Sequence, residues 1–457
     1  MSRCLNSSSL GRIVTKHGYA TAAPNRSGPN VVLIDAVRTP FAVSQTVYKD
    51  LMAVDLQRAA FLGLAERTKV DFNDVGYICG GTVIQEALTS NIAREAQLLS
   101  GFPDKIPAHT VTLACISSNV ALSTLQAQIQ SGNYDVAIAG GVEFLSDAPI
   151  RYNREVRKAM FGLQKAKALP DRLKFGQKII SGIFNPQLPA VAEFTSGEVM
   201  GHSADRLAAA FGVSRKEQDE FAIRSHTLAQ KAQQEGKLAD VIPFYDPTGA
   251  SKNVSIHQDN GIRVSTFEKL SSLKPAFIKP HGTVTAGNSS YLTDGASAAL
   301  ISTEEYALKK GYKPKAFLRE NMFVAQDPKD QLLLSPAYVI PRLLKRVGLK
   351  LEDIDVFEIH EAFAGQVLAN LNAMDSEHFC KNYIGLPQKF GRVPLDKINL
   401  WGGSLSLGHP FGATGIRLVA HAAARLEAEN GRYAVIAACA SGGEGVGALV
   451  ERYQPSK

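Results

Sequence analysis

The 457-residue sequence predicts an α/β protein made of two similar halves. Three observations carry that expectation. Short β-branched runs alternate with helical stretches from Val31 to Gly141, the pattern of βαβ units. The theme returns in the last third, where NGRYAVIAACA (430–440) repeats SGNYDVAIAGG (131–141): Gly132, Tyr134, Val136 and Ala139 are answered by Gly431, Tyr433, Val435 and Ala438. Between the halves, from roughly 145 to 280, polar helical sequence breaks the alternation and reads as a large insertion on one face.

Taken in order, VVLIDAVRTPF (31–41) is a buried strand leaving into a turn at Pro40, and a helix follows from about Asp50 to Arg67. VTLACISSN sets Cys115 between a short apolar strand and a helix. In the insertion, Ser214 stands three residues before Glu217, a capping pair for a helix that Gly236 closes. DIDVFEIHEAF (353–363) is a strand entering a helix, and GATGIRLVAHAAARLEAENG is a helix ending at Gly431. Such alternation argues a mostly parallel sheet with helices on both faces.

The net charge of +7 suggests nucleic acid until it is located. Residues 1–34 carry Arg3, Arg12, Lys16 and Arg26 with no acid, and residues 151–190 hold nine Lys/Arg against Glu155 and Asp171. The remainder is mildly acidic, so no nucleic-acid partner is expected. Residues 1–30, rich in Ser and basic groups without a long apolar core, read as a transit peptide or a disordered tail. No apolar run approaches the ~18 residues of a spanning helix. Five cysteines lack the spacing of a disulfide framework or a zinc site. His360-Glu361 has Ala364 where a zinc protease needs its second His, and neither a nucleophile elbow nor a phosphate loop is present.

Several loops could carry chemistry. A thiol at a helix start faces the positive end of the backbone dipole, which favours thiolate; Cys115 is such a nucleophile or else a buried structural Cys. Cys439 opens CASGGEG (439–445), where flexible glycines can aim N–H groups inward with nothing bulky over the sulfur. GGSLSLGHPFGATG (402–415) holds His409 among glycines, space that lets other groups approach the ring, whose pKa near 7 suits proton transfer. His360 lies at a strand-to-helix turn, a usual ligand position in α/β sheets, or serves a helix cap with Glu361.

Together RTPF, ACISSN, GTVTAGNSSYLTDGASA, EAF, GHPFGATG and CxxGGxG follow the family order of the thiolases, and from about Val31 to Tyr453 the chain resembles them. The resemblance implies a layered αβαβα core of two βαβαβαββ halves. The N-terminal half would comprise 31–145 and 281–305, the inserted loop domain 146–280, and the C-terminal half 306–457. His360 in place of the usual Asn, MGHSADRLAAAFGVSR (200–215) and the basic insert resemble one branch, the β-subunits of mitochondrial trifunctional complexes.

That branch implies a long-chain 3-ketoacyl-CoA thiolase of fatty acid β-oxidation, with coenzyme A as co-substrate and no bound cofactor or metal. Cys115 would be the acylated nucleophile, His409 its base, and Cys439 the second acid/base. Oxyanion holes would come from the N–H groups of Cys115 and Ser441, and from His409 with His360; Ser290 would contact coenzyme A. Ser441 departs from the family's usual Gly. Implied partners are a second copy in a homodimer, an α-subunit with hydratase and dehydrogenase activities, and, through the basic amphipathic segment 151–190, an anionic cardiolipin-containing surface on the matrix side of the mitochondrial inner membrane. A short-chain acetoacetyl-CoA thiolase and a non-catalytic lipid-binding or scaffold homologue are the alternatives; the presence of both Cys115 and Cys439 speaks against the second.

Overall fold

The computed structural model describes residues 28–190, 192–245 and 255–454, so most of the expected leader lies outside the described residues. Strand β1 (Val31–Arg38) is buried along its whole length and is followed by α1 (Ala53–Thr68), β2 (Tyr77–Gly81), α2 (Ile92–Leu99), β3 (Ala108–Val111), α3 (Ser117–Gln130) and β4 (Val136–Glu143). An interposed stretch carries α4 (Arg154–Lys165), α5 (Leu169–Gly182), α6 (Met200–Ala210) and α7 (Arg215–Gln234) before the chain returns to the sheet as β5 (Thr293–Thr303). The second half runs β6 (Ala316–Ala325), α8 (Ser335–Val347), β7 (Val356–Ile359), α9 (Ala364–Met374), α10 (Thr414–Ala428), β8 (Tyr433–Ala440) and β9 (Glu444–Arg452).

These strands form one ten-stranded sheet in the order β7-β8-β9-β6-β1-β5-β4-β2-β3, with the short Ala42–Val43 strand added beside β5. The duplication is visible in the pairing. In each half a parallel pair (β2 with β4, β7 with β8) is followed by antiparallel neighbours (β4-β5-β1, β8-β9-β6). The expected mostly parallel sheet is therefore corrected to a mixed one. Helical crossovers make the strands toward the two edges of the sheet parallel, but the first and last strand of each half pair antiparallel at its centre. Within the sheet the halves meet through only two residue pairs, Val32 with Phe317 and Leu33 with Ala316.

Helices cover the sheet in layers. α1 and α2 pack outside the first half, α8 and α9 outside the second. Between the halves α3 and α10 share one apolar cluster that draws on strands of both, including Leu125, Ile129, Ile416 and Val419. This central layer brings the N-termini of α3 and α10, and the loops before them, to a common place.

Local chemistry explains several elements. Ser214 accepts from the N–H of Glu217, whose carboxylate accepts from the N–H of Ser214, and Gly236 (φ +68°) turns the chain out of α7. Arg38 of the RTPF motif is fully buried and grips the interposed stretch, reaching Asp259 at 2.5 and 2.8 Å and Asp240 at 2.7 Å. Helices α4 and α5 form a hairpin in which Val156 is buried, while Phe161, Leu173, Ile180 and Phe184 stand exposed among the Lys and Arg side chains. No helix among the described residues is long and apolar enough to cross a membrane.

Candidate active site

Cys115 sits two residues before α3, after Ala114, whose φ of +43° is unusual for a residue with a side chain. Ser117 stabilises this tight turn: its Oγ accepts from the N–H of Leu113 at 2.8 Å and donates to Ala114 O at 2.7 Å. The Cys115 side chain is half-buried, and the backbone N–H groups of Ser441 and of Cys115 itself reach its sulfur. Burial, with the nearby Glu143 carboxyl, nevertheless pushes the thiol up to about 12. This corrects the expected thiolate. Two N–H groups do not offset desolvation in the resting protein, so the sulfur needs a base.

A candidate base stands beside it. His409 follows Gly408 (φ +101°), and its own N–H donates to Thr293 Oγ1 at 3.0 Å, across the boundary between halves. Its Nδ1 lies 2.7 Å from Thr414 Oγ1, and Thr414 spends its proton on Pro410 O at 3.0 Å. Nδ1 therefore carries hydrogen and donates to Thr414, leaving the Nε2 lone pair free. Nε2 is buried without a protein partner. The pKa expected near 7 is corrected downward: burial, then His360, then Arg417 hold it well below the ordinary imidazole value. A neutral ring remains, ready to accept.

His360 directly follows β7, with its N–H on Ala437 O at 2.8 Å, and its ring centroid lies 4.0 Å from that of His409. It is fully buried, and burial together with the Arg417 charge brings its pKa down to about 3. One ring nitrogen from each histidine and the Cys115 sulfur all fall within 4.8 Å of one another. Cys439, next to last in β8, is close enough to Cys115 for their charges to interact, and burial pushes its thiol pKa upward too. It is only 1% exposed, which corrects the expectation of an unguarded sulfur.

The remaining candidates are placed as follows. The hydroxyl of Ser441 donates to Glu193 of the interposed stretch, which also accepts from the N–H of Gly442 at 2.9 Å, so the Ser441 side chain is tied away while its N–H serves the Cys115 sulfur. Ser290 is half-buried, and its N–H donates to Ala362 O at 2.9 Å, beside the HEAF turn. The glycines of the His409 loop do less for the ring than expected. A Cβ at Gly412 would lie 2.3 Å from Val142 O and 2.7 Å from Gly81 O, and one at Gly415 would lie 2.3 Å from Asn119 Oδ1. Their bareness lets the loop press against the other half.

Sequence reasoning missed the buried polar residues behind the site: Glu143, Glu358, Ser404, Thr414 and Arg417. Glu143 accepts from the N–H groups of Val83, Ile84 and Gly412 at 2.9–3.1 Å, joining the halves. Arg417, a charge among the apolar residues that open α10, was the one available signal. Cys115, His360 and His409 are the one group of three Cys/His/Asp/Glu among the described residues whose atoms converge this closely, a donor set that suits Zn2+ by ligand type. That convergence, with the Cys439 thiol near enough to Cys115 for their charges to interact, could support covalent acyl transfer: a nucleophile, a neutral base, a second thiol, and inward N–H groups.

The thiolase N-terminal domain profile matches residues 31–305 and the thiolase C-terminal domain profile residues 312–452. A probable 3-ketoacyl-CoA thiolase of Caenorhabditis elegans is 68% identical over 447 residues, covering 97% of this chain and 99% of that protein. The mitochondrial trifunctional enzyme subunit beta of Bos taurus is 60% identical, covering 96% and 91% respectively. Among solved structures, human mitochondrial 3-ketoacyl-CoA thiolase aligns with a TM-score of 0.77 at 29% identity, over 93% of this chain and 99% of that one.

Proposed function

This chain belongs to the thiolase family and is a 3-ketoacyl-CoA thiolase, an acyltransferase, and we propose that it works on long acyl chains through the four side chains just placed. The observation that carries the mechanism is the convergence of Cys115, His360 and His409 within 4.8 Å, with Cys439 near enough to Cys115 for their charges to interact.

In the first half-reaction His409 Nε2 takes the Cys115 proton as the sulfur attacks the 3-keto carbon. The bond between C2 and C3 then breaks, its electron pair leaves with the acetyl-CoA fragment, and Cys439 supplies the proton that makes acetyl-CoA. The shortened acyl group stays on Cys115 as a thioester. In the second, Cys439 deprotonates coenzyme A, whose thiolate attacks that thioester and releases the shortened acyl-CoA, while protonated His409 returns its proton to the departing Cys115 sulfur. The oxyanion on the acyl carbon would be held by the N–H groups of Cys115 and Ser441, that on the acetyl-CoA thioester by His409 and His360. Each such donor is worth about 3 kcal/mol in comparable sites. Both thiols start protonated and both imidazoles neutral, so proton transfer is coupled to attack and the resting site holds no ion pair among these four groups.

Mitochondrial β-oxidation is the setting supported by the trifunctional β-subunit relatives. In that setting the chain forms a thiolase-type homodimer and joins an α-subunit carrying the hydratase and dehydrogenase steps. The α4–α5 hairpin, with exposed Phe161, Leu173, Ile180 and Phe184 among cations, rests on cardiolipin-rich inner membrane, Ser290 contacts coenzyme A, and residues 1–30 act as the import leader. The test is steady-state thiolysis of 3-ketohexadecanoyl-CoA against acetoacetyl-CoA, with the chain alone and with its α-subunit, and mass spectrometry of the acylated peptide. A preference for the long substrate with an adduct on Cys115 is expected; preference for acetoacetyl-CoA would favour a short-chain thiolase.

A further inference from the structure

An Asn amide, usual where His360 stands, is always a hydrogen-bond donor, whereas a neutral imidazole donates from one nitrogen and accepts at the other. His360 can replace it only if the proton sits on the nitrogen facing the substrate. Its Nδ1 lies 3.0 Å from Ser404 Oγ, and Ser404 Oγ lies 2.9 Å from Arg417 Nη2. A guanidinium has donors only, so Arg417 gives its hydrogen to Ser404. The hydroxyl proton must go elsewhere, and among the described residues Nδ1 of His360 is the acceptor within reach. Ser404, Arg417 and His360 are all fully enclosed, so bulk water does not compete. Glu358 holds Arg417 at 3.5 Å and is itself held by Arg425 at 2.8 Å.

We infer that Ser404 is a positioning residue: its hydroxyl donates to Nδ1 of His360, which fixes the His360 proton on Nε2 and makes the ring a standing donor toward the reacting thioester oxygen. Nε2 is buried without a protein partner, as a donor awaiting substrate should be. The Arg417 charge discourages a second proton on the ring. A chain from Glu358 through Arg417 and Ser404 thus gives an imidazole the fixed polarity of an amide.

This inference rests on the thiolase reading, and its test separates the two. Nitrogen-15 NMR of histidine-labelled protein, with His360 assigned by its loss in His360→Asn, should show Nε2 protonated in the wild type and Nδ1 protonated in Ser404→Ala. In thiolysis, Ser404→Ala should lower kcat about tenfold or more with little change in KM, because the donor acts on charge developed in the transition state. Ser404→Thr, which keeps the hydroxyl, should recover most of the rate. In a His360→Asn background, whose amide donates regardless, Ser404→Ala should cost little. An Nδ1-protonated wild type, or a tautomer unmoved by Ser404→Ala, overturns the inference; so does a Ser404→Ala penalty that is equally large in the His360→Asn background. A tautomer that shifts in a protein without thiolysis would instead refute the thiolase reading and leave the role of Ser404 standing.

Discussion

The two halves of the molecule share a strand plan and divide the chemistry unequally. In the first half β3 leads into the turn that carries Cys115 ahead of α3. In the second, the corresponding strand shrinks to one bridge, Ile398 against Phe357, and a long irregular loop brings His409 to the start of α10. The second half also supplies His360 and Cys439 from the ends of β7 and β8. On the proposed mechanism one copy of the plan became a rigid mount for the nucleophile, while its twin gave up regular hydrogen bonding to gather the proposed acid/base groups. Duplication supplied the symmetric frame, and loss of symmetry in the loops brought the candidate side chains together.

The division is sharpest if either side is removed. Cys115→Ala deletes what the first half contributes, and thiolysis should fall at least ~10⁴-fold with no acyl adduct by mass spectrometry. His409→Ala deletes the base from the second. Its fold should persist by circular dichroism while kcat/KM drops about 10²- to 10⁴-fold, the range of a lost general base. Near-normal turnover in either variant would mean that the halves do not divide the work in this way.

Where the halves touch, the comparison can be broken mechanically. Gly141 and Gly412 face each other so closely that a Cβ on Gly141 would lie 2.0 Å from Gly412 O. Gly412→Ala should destabilise by about 1 to 3 kcal/mol or more, since backbone rather than flexible side chain must give way. A lowered thermal midpoint together with a fall in kcat would show that the seam sets catalytic geometry; an unchanged midpoint would show that the loop has room.

Cys115, His409, His360 and Cys439 stood out as candidates because reactive side chains at strand ends and beside glycine-rich turns are conspicuous in a linear sequence. The duplicated frame was legible from paired positions such as Tyr134 and Tyr433. What escaped depends on packing between distant segments. Alternation of strands and helices reveals crossovers but not that β5 and β9 return antiparallel. Nor can it reveal that burial keeps both thiols protonated and both imidazoles neutral, since desolvation is a property of the assembled halves. Ser404 and Thr414 look like ordinary helix residues until the rings they orient are in place.

Glu143 offers the mildest way to probe the same seam. It closes β4, is fully buried, and accepts N–H bonds from its own half and from Gly412 of the other. Burial raises its pKa to about 8 against the pull of those N–H groups, above the ordinary carboxyl value of an unfolded chain. The folded state then holds a proton that the unfolded state releases, so the stability this group contributes is present in full below about pH 4.5 and is lost as pH rises through about 8. Between pH 6 and 9 the wild type should lose about 1 to 3 kcal/mol on this account. Glu143→Gln, which has no proton to release, should be less stable at pH 6 by roughly 1 kcal/mol for the bond its amide cannot accept, and should close that gap at pH 9. Urea midpoints of the two proteins at both pH values decide it. Parallel curves would mean that Glu143 is ionised throughout and that the three N–H groups, rather than burial, govern its charge.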